Sequence, residues 1–194
     1  MQREKFHHGN LREELLEKGM EVLLEAGSDA LSLRNLGREL HVSPRAPYRH
    51  FSSKHELLME LASLGAQEMT DKYMAAYNMA ASNETRLRQA CMAYLNFAEA
   101  KPHLFKLILI DESTVSKFRS TMSEKVLGHK LFEELVISLM SDSSDLITNH
   151  EVAISCWSMM HGFAVLNMNN RMIDMHYDKE QVINAVVRYA TSSH

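Results

Sequence analysis

LSLRNLGRELHVSPRAPYRHFSSKHELL, residues 31–58, is the stretch on which the fold turns. Ser32 stands before Leu33, Leu36 and Leu40, which follow helical spacing, so it reads as the N-cap of a short helix that breaks at His41 and Val42. Ser43 followed by Pro44 is a favourable N-cap and N1 pair, and it predicts a third, still shorter helix through RAPYRHF to Phe51. Pro47 fits that helix badly. By the fourth helical position its ring meets the carbonyl four residues back, and it disfavours helical angles at Ala46. A first-turn distortion is survivable, and two prolines leave a stiff segment with less entropy to lose. Ser53 and Glu56 then form an S-x-x-E capping box that opens a long helix, with Leu57, Leu61 and Leu64 on one stripe, running to about Asn78. At 1.5 Å per residue such a helix spans roughly 39 Å, long enough to leave a small module and enter a second core.

Working outward, Asn10 and Glu13 predict the N-terminus of a first amphipathic helix, on which Leu16, Met20, Leu23 and Leu24 share a face before a stop near Gly27. A longer helix followed by two short ones across a turn of about three residues is a helix-turn-helix, whose second helix can enter a major groove. Downstream, helices are expected near 84–100, 102–110, 115–140, 149–168 and 179–191, with breaks at Ser82 to Asn83, Asp111 to Ser113, Ser141 to Asp145 and Asn169 to Tyr177. Val152 to Leu166 is apolar on nearly every face and so must be buried on more than one side. The chain reads as all-α, with a three-helix helix-turn-helix domain over 1–55 and a larger helical domain over 56–194, about nine helices together.

Composition agrees. The 194 residues are 45% hydrophobic and 24% charged, the balance of a folded globular protein. Seven glycines and three prolines supply few tight turns, which disfavours a many-stranded β fold. The charged start MQREK lacks a signal-peptide core, and no run of about 18 apolar residues occurs, so a cytoplasmic protein without a membrane partner is expected. Cys91 and Cys156 have no CxxC spacing, which excludes a disulfide framework and the usual structural zinc modules.

The formal net charge of −4 is unevenly placed. From Leu31 to His55, Arg34, Arg38, Arg45, Arg49 and Lys54 oppose a single Glu39, a local +4 that leaves −8 on the remainder. Such a patch suits a phosphate backbone bound at one defined surface, because the rest of the molecule repels the polyanion; a solvated basic face is the alternative. Arg45, Arg49 and His50 can reach base edges or phosphates, Tyr48 offers a hydroxyl to phosphate, and Ala46 or Pro47 can touch a thymine methyl. Lys54 in the first turn of a helix opposes the macrodipole unless an anion lies in front, and a phosphate there reverses that penalty. Ser32, Ser43 and Ser53 can combine capping with phosphate contact by the same logic.

These residues resemble the tetracycline-repressor-like (TetR) transcription regulators. FHHGNLREELLEKGMEVLLEAG and the quoted stretch after it are similar to the subgroup opening with Tyr/Phe-His-His-Gly-Asn-Leu-Arg, and WSMMHG at Trp157 to Gly162 is similar to its Trp-x-x-x-His-Gly signature. The resemblance implies a DNA-binding unit at the N-terminus and a helical effector-binding and dimerisation domain behind it. It further implies a homodimer on near-palindromic double-stranded DNA, acting as a repressor that a small, largely apolar molecule releases. The residues it carries over to DNA are Ser32, Arg34, Ser43, Arg45, Ala46, Tyr48, Arg49, His50 and Lys54, with Lys5, His7 and His8 in an arm before the first helix. One departure lies at the turn, where the family commonly has glycine and this chain has His41, a residue that tolerates positive φ better than most.

For the effector, the expected lining is Met92, Phe97, Phe105, Met122, Trp157 and His161. Core packing competes with that reading, since Trp157 and His161 share a helix face and adaptable methionines fill gaps in any core. Gly162 within a helix costs about 1 kcal/mol relative to alanine, which points to close approach of another helix or a ligand. No cofactor is called for. An enzyme is disfavoured because GxSxG, HExxH, SxxK, GxGxxG and GxxxxGK are all absent. A metal sensor using His103, His129, His161 or the cysteines Cys91 and Cys156 would need ligands converging in space, and no His-x-x-x-His pair suggests one. A helical module whose basic patch meets an acidic protein is the remaining alternative, separable by its lack of preference among DNA sequences.

Overall fold

The computed structural model describes residues 10–79, 82–109, 129–140, 146–168 and 178–192. The arm with Lys5, His7 and His8, Met122, residues 110–128 of two expected helices, and the breaks expected at 111–113, 141–145 and 169–177 lie outside them. The described residues form eight α-helices, two 3-10 turns and no strand. We label the α-helices α1 (Leu11–Ala26), α2 (Leu33–Glu39), α3 (Lys54–Met79), α4 (Asn83–Ala100), α5 (Pro102–Leu109), α6 (His129–Ile137), α7 (Leu146–Met168) and α8 (Lys179–Thr191). The 3-10 turns are Ser28–Ala30 and Pro47–Arg49. The chain gathers into two compact units that divide within α3, the first from described residues of Met1–Gly65 and His103–Phe118, the second from those of Ala66–Pro102 and Arg119–His194.

In the first unit the buried face of α1 runs through Leu15, Gly19 and Leu23, displaced from the expected stripe of Leu16, Met20, Leu23 and Leu24, and Leu64 of the expected α3 stripe is 49% exposed. Leu15 and Leu23 of α1, Leu33 and Leu36 of α2, Phe51, and Leu57 and Leu61 of α3 are all at most 3% exposed. α1 ends at Gly27, whose φ of 82° is open to a residue without Cβ. A Cβ there would lie 3.0 Å from Nδ1 of His103, so the glycine also lets α5 approach. Leu104 and Ile108 of α5 cover Gly65 in the same way, with a Cβ on Gly65 falling 2.6 Å from Leu104 Cδ1. Asn10 does not cap α1 through its side chain; its amide is bonded instead to the Glu13 carboxylate.

The second unit is built around α4 and α7. α7 packs against α4, α6 and α8, which is why an all-round apolar sequence is stable there. Cys156, Met160, Phe163 and Ala164 of α7 meet Leu87, Cys91, Tyr94 and Leu95 of α4 and Ile183, Val186 and Val187 of α8 in one core. α4 begins one residue earlier than expected because Ser82 caps it, accepting from Thr85 N at 3.2 Å. It stops at Ala100 because Pro102 keeps Lys101 out of helical angles, at φ −135° and ψ 59°. Lys101 Nζ reaches back to both carboxylate oxygens of Glu68 on α3 at 2.7 and 2.6 Å. α8 opens with a full capping box between Asp178 and Gln181.

Candidate nucleic-acid interface

The short element after the turn is where Pro47 decides the geometry. In place of the α-helix expected from Ser43 to Phe51, the chain makes a turn and then the 3-10 segment Pro47–Arg49. Pro47 has no N–H for the Ser43 carbonyl, so that carbonyl takes Ala46 N at 2.9 Å, three residues on. The pattern continues with Arg49 N on the Ala46 carbonyl at 3.1 Å, while the Pro47 carbonyl accepts His50 N and Phe51 N, both at 3.0 Å. Pro47 is buried at the first position of this turn, where its missing donor and fixed φ cost nothing.

What seats it is Gly37. A Cβ on Gly37 would fall 2.8 Å from Pro47 Cγ and 3.2 Å from its Cδ. The sequence left open whether Ala46 or Pro47 presents an apolar surface; Pro47 is turned into the unit and Ala46 stays partly exposed. At the turn itself His41 takes φ 54°, the left-handed conformation that the absent glycine would have supplied. Its N–H reaches the Arg38 carbonyl at 3.1 Å, and Val42 N reaches the Gly37 carbonyl at 2.9 Å.

Around this segment Arg34, Ser43, Arg45, Tyr48, Arg49 and His50 are exposed, Tyr48 by 51%, while Ser32 and Lys54 are half-buried. Ser32 caps α2, accepting Asn35 N at 3.5 Å. Lys54 is held by protein: its ammonium donates to the Asp29 carbonyl at 3.2 Å, which offsets its unfavourable place in the first turn of α3. Ser53 accepts Glu56 N at 3.2 Å, but Glu56 returns its carboxylate to Ser52, accepting from both its N–H and hydroxyl at 2.6 Å. Those bonds from Ser52 hold the Glu56 carboxyl below the usual carboxylate range.

Sequence reasoning missed Arg12. Its guanidinium lies 5.3 Å over the Phe51 ring and pairs with Glu60 at 2.8 Å, so it ties α1 to the end of the reading segment and to the second turn of α3. The signal was its place in the Asn-Leu-Arg run, four residues before Leu16 and so on the helix face read as apolar, where a cation stands out.

Of the residues assigned to an effector, Met92, Phe97, Trp157 and His161 fall in the second unit, Phe105 is fully buried in the first, and Met122 is outside the described residues. The structure brings Trp157 and His161 together, their rings stacked at 4.9 Å and 15°. It adds Tyr94, whose hydroxyl shares a 2.8 Å hydrogen bond with His161 Nδ1. Burial lowers the His161 pKa, which favours the neutral imidazole. Tyr94 was beyond reach of the sequence because its partner lies 67 residues away. Among the described residues nothing lies within 4 Å of where a Cβ on Gly162 would stand.

A small helix-turn-helix unit with an exposed cationic rim, joined to a larger helical unit, defines a regulator that reads DNA. Residues 15–61 match the family described as bacterial regulatory proteins, tetR family. Residues 87–189 match the tetracyclin repressor-like C-terminal domain, more than half of the chain. The chain is 25% identical over 181 residues to the HTH-type transcriptional activator FasR of Mycolicibacterium smegmatis, covering 92% of this chain and 80% of that protein. A solved structure from Rhodococcus sp. RHA1, of unknown function, superposes with a TM-score of 0.75 at 25% identity over 97% of each chain. The fatty acid degradation regulator FadR from Bacillus halodurans has the same fold, with a TM-score of 0.64 at 16% identity, covering 98% of this chain and 97% of that one.

The protein belongs to the tetR family. It is a DNA-binding, ligand-responsive transcriptional regulator, and its family and relatives are regulators of transcription, not enzymes. Among the described residues no helix is long and apolar enough to cross a membrane, and no cluster of three or more metal-ligating side chains occurs.

Proposed function

We propose that the chain is a cytoplasmic homodimeric repressor that reads a near-palindromic operator and leaves it when a small apolar effector binds. The observation that carries the DNA reading is the 3-10 segment Pro47–Arg49, anchored from below by Gly37 and rimmed by exposed Arg45, Tyr48, Arg49 and His50. In this reading Arg45, Arg49 and His50 contact base edges and Ala46 meets a thymine methyl, while Ser32, Arg34, Ser43, Tyr48 and Lys54 hold phosphates. A single helix-turn-helix reads too few base pairs to select one operator, so two copies about 34 to 36 Å apart are needed.

The dimer face in this reading lies on α7 and α8. Ile154, Ser158, Gly162 and Leu166 succeed one another at four-residue intervals, with Ile154 48% and Leu166 41% exposed and nothing among the described residues within 4 Å of a Cβ on Gly162. Tyr189 of α8, 38% exposed, extends the surface. Apolar side chains beside a helical glycine suit close approach by a second copy.

The effector lies in the second unit, with Met92, Phe97, Trp157 and His161 as lining. Its binding favours a conformer in which α3 tilts and the two reading heads lose the groove spacing. Moving that population from 99:1 to 1:99 requires about 5.5 kcal/mol of differential affinity. Repression follows because a bound dimer occludes a promoter with no further contact. FasR is named an activator, so activation is the second reading. Selection of duplexes from a random pool tests the proposal: a recovered palindrome with one fixed half-site spacing is expected, and a pool without sequence preference refutes it.

A further inference from the structure

A polar atom left without a partner in an apolar core calls for a reason. Tyr73 of α3 is 6% exposed, and among the described residues its hydroxyl has no hydrogen-bond partner. The groups that act on it electrostatically are the Cys91 thiol of α4 and the hydroxyl of Tyr77, one turn further along α3. Cys91 is itself fully buried and is influenced in turn by Cys156 of α7. The hydroxyl thus lies within electrostatic reach of α4 as well as of its own helix, beside a thiol that α7 reaches in turn. Phenylalanine would fill the same volume without the cost of an unsatisfied hydroxyl.

We propose that the Tyr73 hydroxyl is the polar anchor for the effector, and that the effector is a neutral, largely apolar molecule meeting it with one carbonyl or hydroxyl oxygen. The inference rests on the ligand-responsive reading of the second unit and specifies its ligand. Neutrality follows from the surroundings. The cations of this unit that pair with carboxylates, Lys72, Arg88, Lys101 and Lys179, do so with Glu68, Glu84 and Glu99. Arg86 is engaged with the Tyr77 carbonyl and Asn83. Arg88, the cation that acts on the Cys91 thiol, is already bonded to Glu84 and Asn184, and Arg86 lies over the Tyr77 ring, so among the described residues a carboxylate brought to Tyr73 would have to draw one of them from its partners, at a cost beyond what one hydrogen bond returns. A carbonyl or hydroxyl oxygen needs no counter-charge. Burial also raises the Tyr73 pKa, so the phenol stays a donor throughout the neutral range.

The test compares the full chain with Tyr73→Phe, using 1-octanol, 2-octanone and octanoate as probes that share a chain length and differ in the head group. Thermal melting and calorimetric titration are the readouts, with operator binding measured in parallel. Without probe, Tyr73→Phe is expected to melt at or above the wild type. The wild type is expected to bind both neutral probes saturably and octanoate at least tenfold more weakly, and the variant to lose about tenfold for the neutral probes. A lower melting point for Tyr73→Phe would mean that the hydroxyl is bound within the fold and would overturn the proposal. Equal affinities for the two proteins, a preference for octanoate, or no saturable neutral binding would overturn it as well. If operator recognition is intact in any of those cases, the anchor alone is lost; if DNA selectivity is also missing, the regulator reading falls with it.

Discussion

Replacing Gly37 by alanine tests whether the reading segment is held in place from beneath. Gly37 lies inside α2, where alanine is worth about 1 kcal/mol more than glycine from propensity alone. The new methyl would stand 2.8 Å from Pro47 Cγ, short of ordinary contact by more than half an ångström. Pro47 cannot swing aside, because its ring closes on its own backbone nitrogen; the displacement passes to the backbone of Pro47–Arg49. Overpacking of this kind costs about 1 to 3 kcal/mol, which leaves a net loss of up to about 2 kcal/mol after the propensity gain. Operator affinity suffers more, since each well-formed base contact is worth about 1 to 3 kcal/mol and Arg45, Tyr48 and Arg49 all move together. Chemical denaturation should show a small loss of stability, and fluorescence anisotropy on the selected operator a loss of tenfold or more. A Gly37→Ala variant that gains about 1 kcal/mol and binds operator like the wild type would show that Pro47 is free to yield.

The remaining predictions concern separate parts of the chain. His41→Val should lower stability by roughly 1 to 2 kcal/mol, because a β-branched residue is strained at φ 54°; urea unfolding with no loss would contradict the turn geometry. Glu56 has a depressed pKa when folded, so its stabilisation is present above its unfolded value and lost as pH falls through the folded one. The wild-type melting temperature should therefore fall more than that of Glu56→Gln on acidification, and parallel curves would count against the Ser52 grip. Cys91 and Cys156 are both fully buried, and burial pushes the Cys156 thiol up to about 11 and that of Cys91 higher, so neither should react with a thiol reagent until the protein unfolds. Ile154→Asp should leave helicity unchanged while shifting the sedimentation equilibrium from dimer to monomer; a variant that remains dimeric would move the interface off α7.

Local chemistry was legible in the chain itself. Helical spacing, cap residues and proline positions depend on neighbours within a few residues, so α1, α2, the start of α3 and all of α8 could be read directly, as could the cationic character of residues 31–55. The family resemblance pointed to His41 as the residue standing where glycine is common, and the fold gives it φ 54°. Contacts between distant segments were decided only in three dimensions. Pro47 looked like a flaw in an α-helix until Gly37 gave its ring a seat and the hydrogen bonds shortened to the 3-10 pattern. Lys54 read as a cation facing a phosphate, and only the fold shows that its ammonium also donates to the Asp29 carbonyl, 25 residues upstream. Tyr94 and Tyr73 carried no periodic signal, since one hydroxyl's bond to His161 and the other's isolation are set by how α3, α4 and α7 pack. A pattern of residues encodes which face is buried, whereas the partner of a polar atom is fixed by packing across tens of residues.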